Sequence, residues 1–204
     1  MQRFDCKIPG DIFRRELNLN SDRPLIGKIG VIRGWKGHDC FLEAIPLVLR
    51  KIPAARFVIA GAGPGFDEIR QKVKTRGLEL TVAMLGHRED VPQILAALDV
   101  MALASTAGEG TPQVIPQAFA MKTPVVATRA GEMPVVLGEG ERGILVQMND
   151  APGLAQGILD TLENPGAARE RSEKAYQYCR DNLTVETMMD KTIAVYADVL
   201  KSRS

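Results

Sequence analysis

Two rhythms of apolar residues alternate along this chain. Short, continuously apolar runs read as buried strands: residues 25–32, 56–60 (RFVIA), 81–85, 99–104 (DVMALA), 124–127 (PVVA) and 143–146 (GILV). Between them the spacing turns helical. Residues 38–51 set Phe41, Leu42, Ile45, Val48 and Leu49 at helical intervals, with Ile52 just beyond. Residues 66–76 form a helical stretch closed by Gly77 as a C-cap. Further helices are expected at 91–97, at 112–121, which opens on a proline tolerated in a first turn, and at 134–137. Three more should finish the chain. The last sets Met189, Ile193, Tyr196 and Leu200 on one stripe, so it is expected to pack against something. Strands apolar on both faces and alternating with helices imply an α/β fold: a Rossmann-like parallel sheet of about six strands with helices on both sides. Residues 1–20 do not follow the alternation and read as a linker or the remnant of an upstream domain.

Composition adds exclusions. The 204 residues are 45% hydrophobic and 25% charged with a net charge of +1, an ordinary globular balance. Nothing in that balance suggests nucleic acid or an anionic membrane as partner. Cys6, Cys40 and Cys179 are few, odd in number and far apart, which argues against a disulfide framework or a zinc site and fits reduced thiols in a cytoplasmic protein. No apolar run approaches the ~20 residues of a membrane span, and residues 1–10 do not read as a signal peptide because Asp5 and Lys7 interrupt them.

An open parallel sheet binds ligands beyond the carboxyl ends of its strands, so the loops there carry the candidate chemistry. The loop of residues 105–112 (STAGEGTP) follows a strand and feeds a helix. Its glycines allow close backbone approach, and the helix start beyond offers free N–H groups to an anion. Glu109 on that rim repels phosphate but can accept hydrogen bonds from sugar hydroxyls; alternatively it stabilises the helix start. Gln117 lies eight positions on and either meets a ligand over the helix start or is solvated. In the loop of residues 33–39 (RGWKGHD), Arg33 and Lys36 can neutralise a diphosphate or form a basic surface turn. The Gly61–Ala62–Gly63–Pro64–Gly65 run is half of a dinucleotide fingerprint, but Phe66 stands where its third glycine belongs and no acidic residue closes the next strand. A tight turn against another loop is the better reading. His38 and His87 sit in no legible nucleophile–base pair, though His87 lies just past a strand end. No D-x-D motif occurs.

These features, taken in order, resemble a known family. Lys36–Gly37, Gly61–Ala62–Gly63–Pro64, Leu85–Gly86, Asp99–Val100, Ser105 with Glu109–Gly110–Thr111–Pro112, Ala118–Met121, Pro124–Thr128 and Gly131–Pro134 are similar to the C-terminal domain of group 1 glycosyltransferases, the retaining family 4 of the GT-B fold. The resemblance runs from about Leu25 to the C-terminus. It implies that residues 25–204 are the donor-binding domain and residues 1–24 an interdomain segment. It implies a nucleotide-diphosphate sugar (UDP-, GDP- or ADP-linked) as donor substrate, transfer with retention, no cofactor and no metal. By position, Glu109 should contact the sugar, Lys36 the leaving diphosphate, and the backbone of Thr111, Pro112, Gln113 and Val114 should face the diphosphate, with Gly110 also on the donor side. Gly86, His87 and Arg88 should approach the base. Two departures stand out. The family's second glutamate is Gln117 here, and its Gly-Arg is Gly30–Val31, for which Arg33 is the candidate replacement.

The resemblance further implies a partner domain that these residues do not contain, without which the chain is expected to be inactive. A cytoplasmic location follows, with peripheral association at the inner membrane face supplied by the missing half, and a role in polysaccharide or cell-envelope assembly. A nucleotide-sugar-binding module without transfer activity is the alternative. An epimerase on the same cleft would need acid–base residues that are not found, and an oxidoreductase is disfavoured by the broken fingerprint.

Overall fold

The computed structural model describes residues 4–108 and 110–201. Six parallel strands, β1 (Leu25–Ile29), β2 (Arg56–Ala60), β3 (Val82–Gly86), β4 (Val100–Leu103), β5 (Val125–Thr128) and β6 (Ile144–Val146), form one sheet in the order β3-β2-β1-β4-β5-β6. β1 pairs with β2 from Leu25↔Arg56 to Ile29↔Ala60 and with β4 at Ile26↔Val100. The order reverses between β1 and β4, where loops leave to opposite sides and open a crevice at the carboxyl edge.

Side chains alternate across the sheet and build two cores. On one face Leu25, Ile29, Val58 and Met101 meet Leu95 of α4 (Val91–Ala97), Ile115 and Phe119 of α5 (Val114–Ala120) and Cys179 of α8 (Pro165–Asn182). On the other, Ile26, Phe57, Ile59 and Val100 meet α2 (His38–Lys51), α3 (Phe66–Thr75) and α7 (Ala151–Glu163) through Phe41, Ile45, Ile69, Leu154 and Ile158. Phe41 and Phe57 stack edge to face with centroids 6.0 Å apart. α6 (Met133–Val136) is part of the connection from β5 to β6.

Four differences from the pattern-based expectation have local causes. β1 stops at Ile29, three residues early, because Gly30 turns away at φ +147°. The turn beyond it still docks on the next loop, as Gly30 N and Ile32 N donate to Ala60 O and Ala62 O. The helix expected from Pro112 begins at Val114 with Gln113 as its N-cap, and Pro116 falls in the first turn, where no N–H is needed. The segment expected as a linker carries a helix, α1 (Asp11–Glu16), whose Phe13 is 1% exposed in the core. Arg14 fastens it, donating to Ala97 O and to Asp99 Oδ2 at 3.0 and 2.6 Å. Finally, the stripe on α9 (Val185–Lys201) stays outside the two cores: no residue of this helix is buried, and the other helices cover both sheet faces.

Candidate functional site

The carboxyl rim of the sheet is tied together loop by loop. Gly61 N donates to Gly86 O at 2.7 Å, joining the loops after β2 and β3. Gly63 lies at φ +151°, and a Cβ there would sit 2.5 Å from Ile32 O. The glycine run therefore serves as a tight turn against the β1 loop. That loop contains a 3₁₀ turn, Gly34–Lys36, and Gly37 follows in the left-handed region at φ +65°, where any side chain would strike Ala104 O. Thr106 N donates to Trp35 O at 2.8 Å, so the walls on either side of the crevice clasp each other. Behind them Thr128 Oγ1 donates to Ser105 O at 2.6 Å, and both residues are fully buried.

Two cavities open along this rim. One, of about 340 Å³, lies over the ends of β1, β2 and β3 and is lined by Val31, Gly61, Ala62, His87, Arg88 and Val91, among others. The second, of about 350 Å³, shares His87, Arg88 and Val91 and reaches Gln117 on α5. The structure thus gathers His87, Arg88 and Gln117 around the second cavity, with Gly86 ending β3 just before them. Arg33 and Lys36 line neither cavity. Arg33 is exposed, its guanidinium 5.4 Å from the Trp35 ring centroid. The idea that Arg33 replaces an arginine at 31 presumed a strand through both positions; with β1 ended at Ile29, it is Val31 that faces the cleft. Gly110, Thr111 and Gln113 are exposed, Pro112 is half-buried and Val114 is buried. Glu109 lies outside the described residues.

Arg88 is less available than its place in the chain suggests. It donates to Asp90 at 2.7 and 2.8 Å and to Glu16 at 2.6 and 2.9 Å, and stands 5.7 Å from the Phe13 ring. Its hydrogen bonds to Asp90 and then to Glu16 raise its pKa further, and Asp90 is held below the usual carboxylate range by Arg88. Arg88 therefore shapes the cleft wall and pins α1. His87 is exposed on the rim. His38 differs: it is 4% exposed, its Nδ1 has no hydrogen-bond partner, and burial, then the charge of Lys28, lowers its pKa to about 3. A ring neutral at every physiological pH does not shuttle protons.

Lys28 is the residue that pattern reading passed over. It sits inside an apolar strand and is 2% exposed, and its Nζ donates to Lys36 O at 2.6 Å. The available signal was a single charge within an otherwise apolar run, LIGKI. Among the described residues no three His, Cys, Asp or Glu side chains gather as a metal site, and no helix is long and apolar enough to cross a membrane.

Comparison with known proteins gives this rim its context. Residues 10–178 match the family described as Glycosyl transferases group 1. Among curated proteins, the chain is 27% identical over 188 residues to N-acetyl-alpha-D-glucosaminyl L-malate synthase of Bacillus anthracis, covering 92% of this chain and 49% of that protein. It is 28% identical over 169 residues to a GDP-mannose-dependent phosphatidylinositol monomannoside mannosyltransferase of Mycolicibacterium smegmatis, covering 79% and 44%. Among solved structures, HepE of Anabaena in complex with UDP-glucose superposes with a TM-score of 0.85 at 25% identity, over 96% of this chain and 56% of that one. The C-terminal domain of the group 1 protein LpcC from Francisella tularensis superposes with a TM-score of 0.77 at 26% identity, over 90% and 97%. The chain spans about half the length of the curated relatives it matches. The fold is that of the GT-B glycosyltransferases.

Proposed function

The chain belongs to the group 1 glycosyl transferases, and we propose that its residues 25–204 form the donor-binding half of an enzyme that moves a sugar from a nucleotide diphosphate to a saccharide, lipid or other acceptor with retention of configuration. The observation that supports this reading is the pair of adjoining cavities at the carboxyl edge of the sheet, the first over the ends of β1–β3 and the second sharing His87 and Arg88 with it and reaching Gln117 on α5. A neighbouring fold, HepE, holds UDP-glucose.

In this reading the base lies near Gly86–Arg88, and the Gln117 amide meets the ribose. The diphosphate faces the backbone of residues 110–114, with Lys36 and Arg33 approaching from the β1 loop, and Glu109 accepts hydrogen bonds from the sugar. When the bond between C1 and the phosphate oxygen breaks, its electron pair stays on the departing diphosphate, and cations fixed beforehand stabilise that charge; one such contact is typically worth ~3–4 kcal/mol of barrier. The acceptor oxygen forms the new bond to C1 and its proton leaves. The groups that bind the acceptor belong to the half of the relatives' length not spanned here, so this chain alone should bind donor without transferring it.

Thermal unfolding with UDP, GDP, ADP and their sugar conjugates tests the reading. One nucleotide should stabilise the chain, by ~2.7 kcal/mol at a hundred times its dissociation constant. Lys36→Ala should lose that effect, and Glu109→Ala should lose only the increment due to the sugar. No stabilisation by any of them at millimolar concentration would falsify the proposal. Val31 and Gln117, where the family carries charge, favour a second reading, a binding module without transfer. Absence of sugar transfer by a protein containing both halves, despite donor binding, would select it.

A further inference from the structure

Lys28 occupies the middle of β1, beside the reversal of strand order, and is 2% exposed. Its sheet face is apolar, built from Ile26, Ile32, Phe41 and Ile45. On stability alone such a position favours a hydrophobe, because burying an ammonium is costly and an apolar side chain of similar volume is often neutral or better. The ammonium instead reaches towards the carboxyl rim and donates to Lys36 O at 2.6 Å. Lys36 closes the turn Gly34–Lys36, which Trp35 joins to the opposite wall of the crevice through Thr106 N.

We propose that Lys28 is a positioning residue for the anion site of the crevice: from below it tethers the backbone of the turn carrying Arg33 and Lys36, fixing the direction in which Lys36 leaves the loop. This rests on the donor-binding reading of the rim. Two neighbours report the ammonium's place at the first turn of α2. Burial first, and Lys28 second, lower the His38 pKa; burial and Glu43 raise that of the Cys40 thiol, against which Lys28 pulls down. A tether of this kind reduces the ordering that a loop must undergo when it takes up a charged ligand.

Lys28→Met removes the charge and the donor while keeping an unbranched apolar stem. The Thr106 amide, which bridges to Trp35, should exchange with solvent about tenfold faster or more as the turn loosens. Affinity for whichever of UDP, GDP and ADP stabilises the wild type should fall about tenfold, the order expected of a weakened charge-assisted contact. Unchanged Thr106 exchange, or unchanged affinity, overturns the proposal. So does a drop in unfolding temperature with Thr106 exchange intact, which marks Lys28 as a core residue only. If Lys28→Met fails to fold, Lys28→Leu, which likewise removes the donor, is judged by the same affinity criterion. If the wild type binds none of the three nucleotides, the donor-binding reading fails, while Thr106 exchange still decides the tether.

Discussion

His38 connects burial directly to a pH dependence. In the unfolded chain it takes up a proton near its ordinary pKa of 6.5, whereas the folded chain holds it neutral down to about 3. Between those values the unfolded state binds the extra proton. Stability therefore falls as pH drops through that window, by up to ~1.4 kcal/mol per pH unit from this group. Urea unfolding at pH 7.5 and pH 5 should show the loss in the wild type and a flatter profile in His38→Gln; equal slopes would contradict the assignment. Gly37 is bound by geometry instead. Alanine there must adopt φ +65° with its Cβ against Ala104 O, so Gly37→Ala should cost at least about 2 kcal/mol and open the contact between the two crevice walls. Equilibrium unfolding of that variant checks the figure.

At the scale of elements, α1 and α9 behave oppositely. α1 is six residues long and has no stability of its own; it is held by Phe13 in the core, by Arg14 on Asp99 and by Arg88 on Glu16. Arg88→Met should cost about 1 kcal/mol and act locally, raising amide exchange in residues 11–17 ahead of the rest. Uniform acceleration along the chain would show that α1 is not a separate unit. α9 buries nothing, with Tyr196 and Leu200 67% and 69% exposed. Deleting residues 185–204 should change the unfolding free energy by less than about 1 kcal/mol, and a larger loss would mean the helix is held in solution. Periodicity revealed α9 as a helix but not that it stays outside the two cores, because a stripe specifies what must be covered and not what covers it. In the same way the six strands were legible, since each is an apolar run, interrupted only by Lys28 within β1 and opened by Arg56 in β2. The end of β1 was not, because Gly30 turns the chain without changing its hydropathy. Among the candidate site residues, the positions of Gln117, His87 and Arg88 near strand ends were legible by counting along the chain. The capture of Arg88 by Glu16, seventy-two positions away, could not, as it depends on a tertiary contact.

For the whole molecule, the sheet has two edges with different equipment. The carboxyl edge carries the clasped loops, Lys36 and the cleft that reaches Gln117. The amino edge carries a cavity of about 480 Å³ between the starts of β4 and β5 and α8, lined by Asp99, Lys122, Arg169 and Ser172 among others. Volume alone would point to the amino edge. The strand-order reversal and the loop chemistry point to the carboxyl edge, because parallel sheets bind ligands beyond the carboxyl ends of their strands. Backbone amide NMR shifts of the chain titrated with UDP, GDP and ADP distinguish the two directly. For one nucleotide, perturbations are expected at Lys36, Gly86–Arg88 and the loop leading to Gln117. Perturbations centred on Asp99, Lys122 and Arg169, or none at saturating nucleotide, would contradict the donor-binding reading.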